Sequence, residues 1–489
     1  MNQWLKIILG PALGIATWAM FEVAQPEPMV SAMGLVTIWM AMWWITEAVP
    51  LAITSFLPVF LFPLLGIMGA KAVAPLYMND VLMLFIGGFI LAFAMEKWDL
   101  HRRIALKTIL IIGTDLKLVL LGMMAATYFI SMWISNTATT MMMVPTTLAV
   151  IAKMKDLLGD RAMPVAKSFL LGIAYAASIG GMATMIGTPT NMIFVSQFQA
   201  IFPDQPQVTF LQWFIYGVPT SLMMLFACYG ILRWQHKIPK LENTAETLHI
   251  FKSEYASLGK MTYEEKMVSL IFGITALLWF TRAEANIGSF DFPGWASLFG
   301  DNKGYFLDGT VAIAMSSILF LIPSKKDKKS TLMDWKTVQK MPLSVILLFG
   351  GGFALAEGFG VSGLADWLAG EISFLTALPA WAMIFLICVL VTLLSEFASN
   401  VATVTLVLPI LAAIAIGSGI NPLYLMLPAT FAASLGFMLP VATAPNTIVF
   451  GSEMITAKEM ARAGFLLDLA GAVLIAGTML LFGHFVFGL

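Results

Sequence analysis

Two Ser-Asn pairs, Ser135-Asn136 and Ser399-Asn400, stand in the middle of long apolar stretches without Lys or Arg. Each is followed by a segment in which proline interrupts an apolar run: Gly187-Thr188-Pro189-Thr190-Asn191 after the first and Ala442-Thr443-Ala444-Pro445-Asn446 after the second. Such breaks end helices and expose backbone groups. A helix start offers free N–H groups and partial positive charge, which suit carboxylate or sulfate oxygens, and Asn and Thr side chains add neutral donors. The opposite helix ends offer bare carbonyls, which together with Ser hydroxyls and Asn carbonyl oxygens suit a hard cation such as Na⁺. The four motifs contain no Lys, Arg or His. A dianion carried into a low dielectric without a basic partner is costly, so mobile cations are expected to travel with it.

The elements that must position these breaks are membrane helices. Of 489 residues, 59% are apolar and 11% charged, against about 25% charged in ordinary soluble domains. Apolar stretches long enough to cross a bilayer recur, among them Phe465 to Phe487, so the bilayer is the solvent. Ile7 to Phe21 is read as a first transmembrane helix, because no small-residue cleavage site follows it. With the N-terminus in the cytoplasm, alternating sides gives internal loops near 96–117, 153–167, 233–266, 324–340 and 453–464. Those loops and Lys6 hold 24 of the 27 Lys and Arg residues, all except Lys71, Arg282 and Lys303. The positive-inside rule favours this orientation, with the C-terminus external.

Two stretches do not change sides. Between Lys117 and Lys153 lie 35 uncharged residues, about 52 Å as one helix at 1.5 Å per residue, too long for one crossing and too short for two. A hairpin over about 118–152, entering and leaving on the cytoplasmic side with its tip at Ser135-Asn136, fits. A second hairpin, about 378–416, has its tip at Ser399-Asn400 and both ends external. The blocks around them repeat. VLMLFIGGFILA from Val81 matches VILLFGGGFALA from Val345 at eight of twelve positions, and SMWISNTATTMMMVP from Ser131 matches SEFASNVATVTLVLP from Ser395, both at an offset of 264. The copies run in opposite senses across the membrane, so this is an inverted repeat, a plan that puts substrate at the repeat interface. The expected organisation is a first transmembrane helix (1–30), repeat 1 (31–233), a cytoplasmic loop (234–266) and repeat 2 (267–489), with broken helices at 187–191 and 442–446.

SNTATTMMMVP, SNVATVTLVLP, WWITEAVPLAITSFLP, IGTPTN and ATAPN resemble the divalent anion/sodium symporter family, the di- and tricarboxylate carriers, over nearly the whole chain. The resemblance implies an all-α polytopic protein of about 11 transmembrane helices plus two re-entrant hairpins, a homodimer, and a transport domain moving as an elevator against a fixed scaffold. It implies Na⁺-coupled symport of C4-dicarboxylates such as succinate, malate or fumarate across the cytoplasmic membrane. By motif position it puts one Na⁺ at Ser131, Ser135, Asn136 and the Gly187 carbonyl, and a second at Ser395, the Ala398 carbonyl, Asn400 and the Ala442 carbonyl. Substrate carboxylates would meet Asn136, Thr137, Asn400 and Thr443, with Thr188 as the symmetric counterpart of Thr443. Val401 stands where the signature has Thr and Ala444 where Pro is usual, so the preferred acid is open. A Na⁺-independent exchanger or a sulfate carrier of the same fold is the alternative.

Other residues tempt. Glu47, Glu357 and Glu396 lie in or beside apolar segments and are read as structural, although Glu396 could take a proton or cation. Gly87, Gly88, Gly351 and Gly352 are read as close-packing positions, Met141 to Met143 as adaptable packing around a moving hairpin, and Trp43 and Trp44 as interface or packing aromatics. The charged stretches 233–266 and SKKDKKS from Ser324 are read as solvated loops that contact lipid headgroups at most. Cys228 and Cys388 sit in apolar runs and support neither a disulfide nor a thiolate site. The four histidines, His101, His236, His249 and His484, are scattered, and no HExxH, GxSxG or Walker A pattern occurs, so no enzyme, cofactor or nucleic-acid partner is expected.

Overall fold

The computed structural model describes residues 2–24, 27–112, 115–159, 162–238, 245–287, 290–371 and 378–488. The described residues are built mainly into helices, with a small antiparallel pair, Ala285–Ile287 with Phe290–Phe292, and an isolated bridge between Pro323 and Thr331. Among the described residues nine helices are long and apolar enough to cross a membrane. Two of these, Ala380–Phe397 and Asn400–Ser418, are the arms that meet at the second Ser-Asn pair. Other apolar segments are shorter, such as Leu116–Ser131 and Leu423–Ala432.

Local chemistry fixes where the long helices start. Thr209 with Gln212, Thr262 with Glu265 and Thr456 with Glu459 form capping boxes, each satisfying two otherwise orphaned backbone donors. The Asn79 side chain accepts from the Leu82 amide to start Asp80–Lys97. The repeated glycines act as spacers. A Cβ on Gly87 would lie 2.6 Å from the Ala312 backbone, one on Gly351 2.6 Å from Ser55 and one on Gly352 2.4 Å from Thr405. Gly88 meets Ile186 only at an ordinary 3.5 Å, so it leaves room in a cavity instead of allowing a close approach.

Two apolar cores result. The larger joins both Ser-Asn units and both broken helices, and the smaller collects Pro28–Thr46, Leu57–Leu64 and one face of Leu343–Ser362. Trp44 is buried in the smaller one and the Trp43 indole donates to the Ile7 carbonyl, so both are packing aromatics. Of the three methionines Met141 to Met143, Met143 is buried and Met141 exposed. The helix Gln3–Ala24 lies against Pro28–Thr46 with most of its apolar surface open.

The stretch 234–266 is more than a solvated loop. Residues 239–244 lie outside the described residues, but Ala245–Ser257 is helical and buries Phe251 completely. Arg103 reaches this segment through the carbonyls of Leu258 and Gly259 and a two-pronged pair with Glu265. The sequence reading missed it because the helix is mixed in charge and covers its neighbour with few apolar residues.

Ion pairs sort by side. Lys97–Asp334, Arg102–Glu254, Arg103–Glu265 and Lys167–Glu459 join segments expected inside, while Arg282–Asp308 and Lys303–Glu284 join segments expected outside. Among the described residues no pair mixes the two sets.

Candidate binding site

Each Ser-Asn pair ends one helix and starts the next. Leu116–Ser131 stops, Met132 to Ser135 turn, and Asn136–Leu158 begins with Ser135 as its cap, its hydroxyl accepting from the Ala138 amide at 3.3 Å. In the other unit Ala380–Phe397 stops and Asn400–Ser418 begins after Ser399. The two tips use the same internal bond. The Ser131 hydroxyl donates to the Asn136 carboxamide oxygen at 2.8 Å, and Ser395 does the same to Asn400 at 2.8 Å. The Ser395 hydroxyl also lies 2.6 Å from the Ala433 carbonyl, so its one proton serves two acceptors.

The broken helices are duplicated as closely. Ala162–Met182 breaks before Pro189–Ile201, and Leu423–Ala432 breaks before Ala444–Phe450. The buried Asn191 carboxamide donates to the carbonyls of Gly181 (2.9 Å) and Thr184 (2.7 Å), and Asn446 donates to those of Gly436 and Leu439 (both 3.0 Å). The span is ten and seven residues in both cases, so each Asn clamps a loop of the same length. These clamps answer the cost of backbone carbonyls freed inside an apolar core. Sequence reading had both asparagines in the motifs but gave them no role; their place two or one residues after Pro189 and Pro445, at equal distance from a glycine, was the available signal.

Clamps and tips touch. A Cβ on Gly181 would lie 2.5 Å from the Asn136 carboxamide oxygen, and one on Gly187 2.5 Å from the Gly181 carbonyl. The Thr184 hydroxyl donates to the Met132 carbonyl, and in the second copy the Glu396 carboxylate accepts from the Met438 and Leu439 amides at 2.7 and 2.9 Å. The residues of each tip are thereby fixed to the loop of the adjacent break.

A cavity of about 490 Å³ opens where the four breaks meet. Its wall includes Asn136, Thr137, Thr188, Asn400, Val401 and Thr443, all six residues expected to face substrate. Ser135, Gly187 and Ala442, expected around Na⁺, also line it. Ser131 and Ser395 do not; they are fully buried behind the asparagines whose carboxamides they orient. Ala398 faces a second cavity of about 430 Å³ on the other flank of the second tip, which shares Ser399, Ala442, Thr443 and Ala444 with the first and is bordered by Lys6 and Glu47. Among the described residues the main cavity has no acidic wall residue, and Lys340 is its one charged group. Three helices of 13 to 23 residues and one of seven start at this wall. Their amide ends and the neutral donors make a site for an anion small enough for the space, within the range of small-molecule pockets.

Comparison with known proteins agrees in class. The family described as the sodium:sulfate symporter transmembrane region matches residues 2–489. Similar proteins include sodium-dependent dicarboxylate transporters SdcS from Staphylococcus saprophyticus, 39% identical over 484 residues, and from Staphylococcus aureus, 41% identical over 484 residues. Each alignment covers 97% of this chain and 90% of the relative. Among solved structures, the YdaH transporter of Alcanivorax borkumensis aligns with a TM-score of 0.53 at 15% identity, covering 87% of this chain and 88% of its own. MtrF of Neisseria gonorrhoeae aligns with 0.55 at 13%, covering 86% and 84%. At those identities the two structures speak for the fold alone.

Proposed function

This chain belongs to the sodium:sulfate symporter family of membrane transporters and is no enzyme, and from that premise we propose that it carries C4-dicarboxylates together with Na⁺ across the cytoplasmic membrane. The carrying observation is the convergence of four helix starts and two Ser-oriented asparagines on a cavity without acidic wall residues. The relatives near 40% identity, named as sodium-dependent dicarboxylate transporters, support the choice of cargo and ion.

In this reading one carboxylate is met by Asn136 and Thr137 at the first tip and the other by Asn400 and Thr443 at the second, with Thr188 opposite Thr443. Ser131, Ser135, Asn136 and the Gly187 carbonyl hold one Na⁺, and Ser395, Ala398, Asn400 and Ala442 the other. The paired Ser–Asn bonds support this, because they turn both carboxamide oxygens inward, toward a cation, and leave the amide NH₂ groups for the anion. Cations beneath the dianion also answer its desolvation cost, which Lys340 at the rim cannot do alone.

The two Ser-Asn units act as re-entrant hairpins of an inverted repeat, with the N-terminus inside and the C-terminus outside. The sorting of ion pairs into two sets supports that grouping of loops by side, and the positive-inside rule supplies the direction. The division of the apolar interior into two clusters, which meet at Leu76, Val401 and Ile410, suits a scaffold and an elevator-like transport body. The exposed apolar face of Gln3–Ala24 suits lipid or the second protomer of a homodimer.

The test is radiolabelled succinate uptake into proteoliposomes under an inward Na⁺ gradient, against choline at constant pH. Uptake that requires Na⁺ is expected. Uptake that ignores Na⁺ but demands internal dicarboxylate would replace symport by exchange, and uptake of sulfate alone would replace the cargo.

A further inference from the structure

The second broken helix is held by a carboxylate pair that the transport site does not use. Glu396 is 2% exposed on Ala380–Phe397 and Asp468 is 7% exposed on Ala457–Phe487. Glu396 spends one lone pair of each oxygen on the Met438 and Leu439 amides. Asp468 has the Glu396 carboxylate and the Phe437 backbone as its polar neighbours, yet no hydrogen bond of good geometry reaches either of its oxygens. Tyr175, packed edge-on against Phe437, gives its hydroxyl proton to the Met460 carbonyl. No Lys, Arg or His pairs with either acid among the described residues.

Close approach is built in. Gly464, one turn before Asp468, lets its helix run against the loop so tightly that a Cβ there would lie 2.4 Å from the Phe437 backbone. The approach brings a second buried carboxylate beside the first, which is unfavourable unless one positive charge joins them. A proton shared between them satisfies one Asp468 oxygen and leaves the other only the poorly aligned Phe437 amide. An oxygen-seeking metal cation gripped by both oxygens of Asp468 and a free lone pair of Glu396 satisfies all three.

We propose that Asp468 and Glu396 bind a small alkali cation, additional to the two assigned to the Ser-Asn tips. The site sits at a lever. Phe437 to Leu439 lead within a few residues to Ala442 and Thr443 in the cavity wall, and Glu396 follows Ser395, which orients Asn400. A cation there fixes the loop that presents Thr443, so it raises affinity at the central site without touching substrate.

This rests on the Na⁺-coupled reading, and the experiment separates the two. Purified protein is compared with Asp468→Asn and Glu396→Gln for equilibrium binding of ²²Na⁺ and for the Na⁺ dependence of succinate uptake. Asp468→Asn is expected to lose about one bound Na⁺ per protomer and to raise half-saturating Na⁺ about tenfold, a coupling of ordinary size. Wild-type uptake that ignores Na⁺ sinks the transport reading and this one together. Na⁺-dependent wild-type uptake with an unchanged Na⁺ count in Asp468→Asn sinks this one alone. So does a variant that loses only its pH dependence, because the pair then holds a proton. Should neither variant stay monodisperse, the infrared difference spectrum of wild-type protein on adding Na⁺ decides. A shifted carboxylate band supports the site; an unchanged one overturns it.

Discussion

Gly181→Ala tests the proposed geometry more sharply than deleting a ligand does, because it adds one methyl group and removes nothing. Gly181 lies in the helix Ala162–Met182, where alanine is favoured over glycine by about 1 kcal/mol, so helix propensity works against any loss. The new Cβ would lie 2.5 Å from the Asn136 carboxamide oxygen and 3.0 Å from its nitrogen. Ordinary contact requires a retreat of about 1 Å, and the carboxamide is tied to Ser131 at 2.8 Å. Losing that bond costs about 0.5–1.5 kcal/mol, and overpacking a filled core about 1–3 kcal/mol. Their sum less the propensity gain is about 0.5–3.5 kcal/mol, so at about 1.4 kcal/mol per decade the half-saturating concentrations of Na⁺ and succinate should rise by about twofold at the least and about thirtyfold at the midpoint. The matched position gives the control. At Gly436 the nearest atoms to a new Cβ are Ala442 Cβ at 3.1 Å, Thr443 Cγ2 at 3.4 Å and the Asn400 oxygen at 3.5 Å. These contacts are tight, but looser than the 2.5 Å at Gly181, and the asparagine oxygen is at ordinary distance, so a change below about fivefold is predicted, equivalent to less than about 1 kcal/mol. Na⁺ and succinate titrations of uptake in proteoliposomes read both variants. Equal effects, or a Gly436→Ala variant worse than Gly181→Ala, would refute the claim that the first asparagine is held in place by that glycine.

Asn136→Ala and Asn400→Ala should each abolish succinate uptake while the protein remains folded in the membrane; normal affinity in both would remove these residues from the site. Val401→Thr adds a hydroxyl to the cavity wall and should change the ranking of succinate, citrate and sulfate in competition uptake, and an unchanged ranking would mean that the position does not meet substrate. Asn446→Ala leaves the Gly436 and Leu439 carbonyls without their donor in a buried loop, so thermal unfolding in detergent should show a loss of about 1–3 kcal/mol per unsatisfied group; unaltered stability would mean that the clamp is dispensable. Arg103→Ala strands the buried Glu265 and frees two carbonyls, with an expected cost of about 3–5 kcal/mol read as reduced yield of folded protein, and an unaffected yield would leave that pair without a structural role.

What the sequence revealed depends on whether the signal was local. The tips were legible because a Ser-Asn pair in 35 uncharged residues is an anomaly that length alone exposes, and because the offset of 264 repeats it. The convergence of Thr188 and Thr443 on one cavity followed from the same repeat. The clamps were not legible, since a donor ten residues from its acceptor becomes meaningful only once the loop is folded. Asp468 was passed over although it is a lone acid in an apolar run, because its partner Glu396 is 72 positions away by number and adjacent only in space. The helix Ala245–Ser257 was hidden for a different reason. Its mixed charges read as solvent-facing, whereas burial of Phe251 and contact with Arg102 and its neighbour anchor it.

The clamps also say where this protein is free to change. From Asn136 to Asn191 is 55 positions, and from Asn400 to Asn446 is 46, yet the intervals inside each clamp are identical. Nine residues of difference have thus accumulated between the working parts and none within them. Two halves with matched jaws on unmatched hinges are not interchangeable. In the proposed inverted repeat the two copies face opposite sides of the membrane with connections of unequal length, so the steps on the two sides need not be mirror images of each other.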